Sequence, residues 1–268
     1  TLSELKQLEV IRKLDENMPI DVIPTFMGAH EYPEEYKENH QAYIDILCEE
    51  MLPAVKEQGI AQYCDIFTEA HVYNIEESRE VLTRARELGF RLKMHADEIE
   101  PMGGAELAAE LNCTSADHLG KTDEKGIKAL HNAGVLPVLL PATLFSLGSK
   151  NYASARDMIS EGLPVALATD FNPGSCNCNS MAFVMTLACL MMKMSPAEAL
   201  AASTINAAAA INLEHLVGSI TIGKQADLLI WDIPSYKHIP FHIGSSFPDV
   251  VIKKGKVFLA DINSYFTQ

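Results

Sequence analysis

The stretch FRLKMHADEIEPMGGAELAAELNCTSADHLG, residues 90–120, decides the fold. It opens on a short β-rich segment (90–94) with a polar ending, His95-Ala96-Asp97-Glu98. A helical pattern over 103–111 comes next, and then a second short strand (115–117) that also ends in acid and imidazole, Asp117-His118. Strand, helix and strand within about 30 residues form a βαβ unit, which implies parallel pairing and an α/β class.

The same rhythm extends to both sides. Further β-rich runs lie at 21–27 (DVIPTFM), 63–68 (YCDIFT), 135–140 (VLPVLL) and 164–169 (PVALAT), with helical patterns at 43–56, 75–88, 121–133 and 153–161. The runs are short and non-alternating, as expected of strands buried on both faces. Gly59, Gly89, Gly134 and Gly162 stand where these helices should stop. Residues 1–211 thus hold six candidate βα units, two fewer than a (β/α)8 barrel contains. A six-stranded doubly wound sheet fits the same count, but no glycine-rich phosphate fingerprint comes after the first strand. Beyond the sixth strand, Ser195-Pro196-Ala197-Glu198 spells a capping box with proline in the first turn. From about residue 217 the chain reads as strand and turn (GSITIGKQADLLIWDIP, 218–234; PDVVIKKGKVFLA, 248–260), so 212–268 is expected to form a small β-unit.

Composition narrows the function. With 21 Lys+Arg against 36 Asp+Glu among 268 residues, the formal charge is −15. That lacks the basic footprint of nucleic-acid binding and disfavours anionic membrane surfaces. No apolar run approaches the roughly 18 residues of a membrane span. The six cysteines are dispersed rather than set at framework spacings, which points to reduced thiols and a cytoplasmic location.

The strands differ from ordinary core strands in their polar endings: Gly28-Ala29-His30, Glu69-Ala70-His71, His95-Ala96-Asp97-Glu98, Asp117-His118 and Asp170-Phe171-Asn172. In a barrel the C-terminal strand ends meet on one face, so these residues are expected around one pocket. Imidazole nitrogen and carboxylate oxygen suit zinc or iron, which makes His95, His118 and Asp170 candidate ligands. A catalytic metal brings the pKa of water toward neutrality, and a neighbouring carboxylate such as Glu98 can relay the proton to a leaving nitrogen. Cys176-Asn177-Cys178 has the wrong spacing for a metal pair and reads as loop. The methionine-rich stretch 185–194 reads as core.

Six strings, TFMGAHEYP (25–33), KMHADEI (93–99), SADHL (115–119), LPATLFSLG (140–148), ATDFNPGSC (168–176) and GSITIGKQADLLIWD (218–232), resemble the imidazolonepropionase family of the amidohydrolase superfamily, and the resemblance runs through essentially the whole chain. It implies a partial TIM (β/α)8 barrel of the metal-dependent amidohydrolase type over 1–211, with 212–268 as the C-terminal part of a small β-sandwich. It further implies a homodimer, one zinc or iron ion per subunit, and hydrolysis of 4-imidazolone-5-propanoate to N-formimidoyl-L-glutamate. Matched residue by residue, His95 and Asp170 fall on metal ligands, and Asp170 also on the base that acts on water. Glu98 falls on the acid that contacts substrate and relays the proton, and His118 on a histidine close to the reacting water. His30 falls on a substrate-binding imidazole, and Asn172, Gly174 and Ser175 on the loop that holds the glutamate-like part of the substrate.

Two parts of that pattern are absent. The family's first barrel strand ends in His-x-His, and no such pair occurs here; an arginine and a tyrosine that hold substrate are missing as well. The chain is therefore expected to correspond to the C-terminal two-thirds of such an enzyme. Two further readings stand beside this one: an aminohydrolase acting on a heterocycle such as guanine, and a fragment without catalysis. His71 also departs from the pattern, in which a glycine more often stands at that position.

Overall fold

The computed structural model describes residues 1–244 and 246–259, so the last nine residues of the expected C-terminal β-unit lie outside the described residues. The chain forms two compact units, residues 1–139 with 157–165, and residues 140–156 with those from 166 onward.

The first unit carries five parallel strands in sequential order: β1 (Thr25–Ala29), β2 (Tyr63–Thr68), β3 (Arg91–Ala96), β4 (Ser115–His118) and β5 (Leu136–Leu139). The register sets their polar ends level, with Phe67 opposite His95 and Ala96 opposite His118. Helices return the chain from one strand to the next, and local chemistry sets their ends. Asn74 and Glu77 form a reciprocal capping box at the start of helix Ile75–Glu87. The Asp123 carboxylate accepts from the Lys125 and Gly126 amides to start helix Glu124–Ala133. Gly134, at φ +71°, stops that helix in a left-handed conformation that a side chain would strain.

Two local expectations need correction. β3 alternates: Leu92, Met94 and Ala96 are buried, whereas Arg91, Lys93 and His95 are more exposed. Its polar face is accommodated by pairing. The Arg91 guanidinium reaches the Tyr63 hydroxyl at 3.4 Å, Lys93 Nζ lies 3.4 Å from Asp117, and His95 lies 2.8 Å from Asp65. The helix expected over 43–56 is also interrupted, running as His40–Ile46, a π-helical segment Leu47–Met51, and Leu52–Gln58. Pro53 has no amide hydrogen to donate to the residue four before it, and just ahead of it the Leu52 amide donates to Leu47 O, five residues back.

The second unit holds β6 (Ala166–Leu167), shorter than the run at 164–169 suggested. Helices Pro141–Ser146, Met181–Met191 and Pro196–Ala202 accompany it. A small antiparallel sheet comprises β7 (Leu228–Ile230), β8 (Val250–Lys253) and β9 (Lys256–Leu259), in that order. Lys254 and Gly255, at φ +51° and +75°, make the two-residue turn between β8 and β9, the conformation that matches strand twist. The Asp227 carboxylate holds that turn through the Lys253 ammonium and the Lys254 amide. Of the methionine-rich stretch read as core, Met185, Met192 and Met194 are buried, whereas Met191 is exposed, as is Leu190 beside it. Among the described residues no helix is long and apolar enough to cross a membrane.

The capping box at 195–198 is present, and Arg156 clamps the Glu198 carboxylate at 3.0 and 2.7 Å. The Arg156 hydrogen bond, then the Ser195 amide, pull the Glu198 carboxyl from 4.5 to about 2. A carboxyl lowered on folding stabilises the fold above its unfolded pKa and loses that contribution as pH falls through the folded value. Ser195→Ala should cost about 1 kcal/mol. In thermal melts, the Tm deficit of Glu198→Gln should be full at pH 7 and narrow as pH drops from 4.5 toward 2; a deficit independent of pH would contradict this assignment.

Candidate active site

A buried carboxylate stands at the centre of the first unit's polar strand ends. Asp65, in the middle of β2, is 2% exposed. One of its oxygens, Oδ1, meets two imidazoles: His95 Nδ1 at 2.8 Å, at the end of β3, and His30 Nε2 at 3.2 Å, just beyond β1. Because β2 lies between β1 and β3, its central carboxylate is the one that both neighbours can share. Burial alone would raise the Asp65 carboxyl, but the charge on His95 and the hydrogen bonds from His30 and His95 outweigh it and hold the group well below the usual carboxylate range.

The imidazoles cluster further. The His30 and His95 rings meet edge to face at 4.7 Å between centroids, and His95 and His118 lie 5.0 Å apart. Phe67 stacks near His30 and packs edge-on against His95. His71 is exposed, and its ring meets Phe67 edge-on at 5.8 Å.

His118 is 6% exposed, and its Nδ1 lies 3.4 Å from Glu98 Oε1. Nδ1 is thus the ring nitrogen that faces the Glu98 carboxyl group, and Nε2 points away from it. Burial, followed by the charge of His95, pushes the His118 imidazolium well below its ordinary pKa, which makes the ring neutral at pH 7. Nε2 is buried and has no hydrogen-bond partner. A buried ring nitrogen without a partner is one that a ligand atom or water can satisfy.

Below this layer Lys93 pairs with Asp117, whose other oxygen accepts from the Ser115 hydroxyl at 2.8 Å. Burial would lower the Lys93 ammonium, but the charges of Asp117 and Asp65 raise it, so it stays a cation. The strand ends then bend sharply. Asp97 and His118 adopt φ of +48° and +75°, as Asp170 does at +52° in the second unit. Left-handed backbone costs a side-chain-bearing residue on the order of 1 kcal/mol and gathers at functional sites.

The first unit therefore brings together four residues singled out by the sequence: His30, His95, Glu98 and His118. The other four, Asp170, Asn172, Gly174 and Ser175, share one loop of the second unit. There the Thr143 hydroxyl donates to Asp170 Oδ2 at 2.6 Å. Asn172 Oδ1 accepts from the Gly174 and Ser175 amides at 2.9 and 2.7 Å, while its Nδ2 donates to Asp170 O at 2.7 Å. Asn172 thus shapes the turn that presents Gly174 and Ser175.

Asp65 sits inside a strand, and a reading confined to strand ends misses it. The signal was a carboxylate within an otherwise buried strand, YCDIFT, since an unpaired charge is almost never buried there. His30, Asp65 and His95 each offer one ligand atom, all within 4.8 Å of one another. The cluster offers imidazole nitrogen of the kind a borderline divalent ion takes, and since Asp65 Oδ1 already accepts from both rings, its carboxylate is placed to orient them rather than to bind the ion itself.

Comparison with known proteins agrees with this architecture. The profile of the amidohydrolase family matches residues 27–258. An imidazolonepropionase of Alkaliphilus oremlandii (strain OhILAs) is 51% identical over 255 residues, covering 95% of this chain and 60% of that protein. The imidazolonepropionase of Streptococcus pyogenes serotype M1 is 47% identical over 255 residues, covering 95% and 61%. The chain spans about three-fifths of the length of these curated relatives. Among solved structures, a zinc-bound adenosine deaminase from Xanthomonas campestris superposes with a TM-score of 0.71 at 18% identity, over 97% of this chain and 66% of that one. A 5-methylcytosine deaminase from Klebsiella pneumoniae gives 0.74 at 18%, over 95% and 66%. At such identity these two show the fold alone, an amidohydrolase-type α/β architecture.

The neutral state of His118 is open to direct measurement. Its ring resonances should keep neutral-imidazole shifts as pH is lowered from 8 to 6; a titration midpoint near the ordinary 6.5 would contradict the buried arrangement.

Proposed function

Because the chain belongs to the amidohydrolase family, we propose that the protein hydrolyses the cyclic amide of 4-imidazolone-5-propanoate to N-formimidoyl-L-glutamate, a step of histidine degradation. The observation that carries this reading is the identity of about half, sustained over 95% of the chain, with imidazolonepropionases.

The site's donors suit one zinc or iron ion per subunit, with His95 and Asp170 as its ligands from this chain. The ion would supply Lewis-acid polarisation of the ring carbonyl and a water acidic enough to react at neutral pH. The remaining work falls to side chains. Asp65 holds His95 by Nδ1, which leaves the ring's other nitrogen for the metal, the usual way a carboxylate orients a histidine ligand. Asp170 takes a proton from the attacking water. Glu98 carries a proton to the departing ring nitrogen, and neutral His118 steadies Glu98 Oε1 through Nδ1. His30 binds the substrate ring. The turn built on Asn172 offers the Gly174 and Ser175 backbone and the Ser175 hydroxyl to the propanoate arm. In this proposal residues 1–211 act as the barrel and 212–268 as the β-unit, in a cytoplasmic homodimer. The substrate is anionic and the chain carries −15, so attraction must come from local donors rather than net charge.

The test is turnover in a chain extended to the length of its relatives. Loss of 4-imidazolone-5-propanoate absorbance is expected, abolished by Asp170→Ala and by a chelator, with the fold retained. Release of ammonia from guanine or a related heterocycle, with imidazolonepropanoate untouched, would replace this reading by an aminohydrolase. No turnover of either would favour a non-catalytic role.

A further inference from the structure

Glu98 lies between two buried carboxylates that the proposed chemistry does not use. On its N-terminal side, Asp97 is 2% exposed and accepts five hydrogen bonds. Oδ1 takes the amides of Met102, Gly103 and Gly104 at 3.0, 3.0 and 2.9 Å; Oδ2 takes the Ala105 amide at 3.0 Å and the Thr122 hydroxyl at 3.1 Å. A carboxylate so placed caps helix Gly104–Glu110 and anchors that helix to the end of β3. Gly104 has no room for a side chain there, since a Cβ would meet that of Ala96 at 2.9 Å.

On its C-terminal side the anchor comes from another strand. Glu69, one residue past β2, is fully buried. Its Oε2 accepts the Ile99 amide at 2.8 Å, and its Oε1 accepts the amides of Glu100 at 3.2 Å and of Ala70 at 3.0 Å. The segment is closed from a third direction by Gly120, where a Cβ would lie 3.0 Å from Glu98 O.

We propose that Glu69 is a positioning residue for Glu98: its buried carboxylate pins the Ile99-Glu100 backbone, which together with Asp97 fixes where Glu98 Oε1 meets His118 Nδ1. The convergence of three amide donors demands a carboxylate. A carboxylate accepts on both oxygens, whereas an amide of the same shape turns an NH2 group against one of those N–H donors. The anchoring also explains why a carboxylate is tolerated there with no cation paired to it among the described residues, because three N–H dipoles satisfy it. A shift of Glu98 by about 1 Å is enough to lower turnover on the order of 100-fold.

The role in turnover rests on the function proposed above; the clamp itself does not, and the experiment separates them. In the full-length holoenzyme, Glu69→Gln should speed amide exchange at Ile99 and Glu100 by about tenfold, the loss of one buried hydrogen bond, while the amides of 102–105 held by Asp97 stay protected. Metal content should match that of the parent. Turnover should fall about 10- to 100-fold. Introduced into Glu98→Gln, the same change should lower residual activity by less than about threefold, because a residue acting through Glu98 has nothing left to position. Should Glu69→Gln not fold, Glu69→Asp keeps the charge and, one methylene shorter, withdraws it from Ile99, with the same expected pattern. Unchanged exchange at Ile99 and Glu100, or an equal loss of turnover with and without Glu98, would overturn the proposal. An enzyme without imidazolonepropanoate turnover would refute the function while the exchange measurement still decides the clamp.

Discussion

One carboxylate oxygen accepting from two imidazoles organises the first unit. Stripping water from an isolated charge costs several kcal/mol, so Asp65 is tolerable inside β2 only while His30 and His95 stay within reach. That condition constrains the sheet around it. β1 and β3 must flank β2, and the register must bring His95 level with Phe67. A slip of one residue would turn His95 to the opposite face and leave the buried Asp65 with His30 alone. The same constraint accounts for the layer beneath, where Lys93 balances Asp117 and Asp65. The interior face of these strands is polar because each charge on it is a partner of another.

Above that layer, function depends on how the chain leaves the strands. Asp97 and His118 turn through left-handed backbone, and buried acceptors hold the resulting loops in place. Asp97 caps a helix, Glu69 ties two loops together, and in the second unit Asn172 folds its own turn. Loops held by buried acceptors bring the Glu98 and His118 side chains within 3.4 Å of each other on a fixed backbone. His118, neutral and with a buried Nε2 that has no partner in the chain, is the clearest opening these loops leave for a ligand atom.

Much of this is legible in the sequence. YCDIFT (63–68) matches β2 residue for residue, and the helix at Ile75–Glu87 carries its own capping box. The polar endings His30, His95, Glu98 and His118 do gather, because parallel pairing places strand ends side by side. Asp65 and Lys93 are hidden because a search of strand ends ignores strand centres, and their pairing depends on cross-strand register that no local pattern encodes. The π-helical segment at Leu47–Met51 is hidden for a similar reason: Pro53 is visible, but how the chain absorbs its missing hydrogen bond is settled by packing. The helix Pro141–Ser146 is concealed because its six residues run on directly from the apolar stretch of β5, with no polar turn to mark the change of structure.

The most direct test of the central claim is metal affinity, measured by chelator competition in a chain extended to the length of its relatives, with and without Asp65→Ala. If Asp65 orients His95 for the metal, the substitution should weaken binding about 10- to 100-fold with the fold preserved. Affinity equal to that of the parent would mean that the His30–Asp65–His95 arrangement has no part in holding the ion.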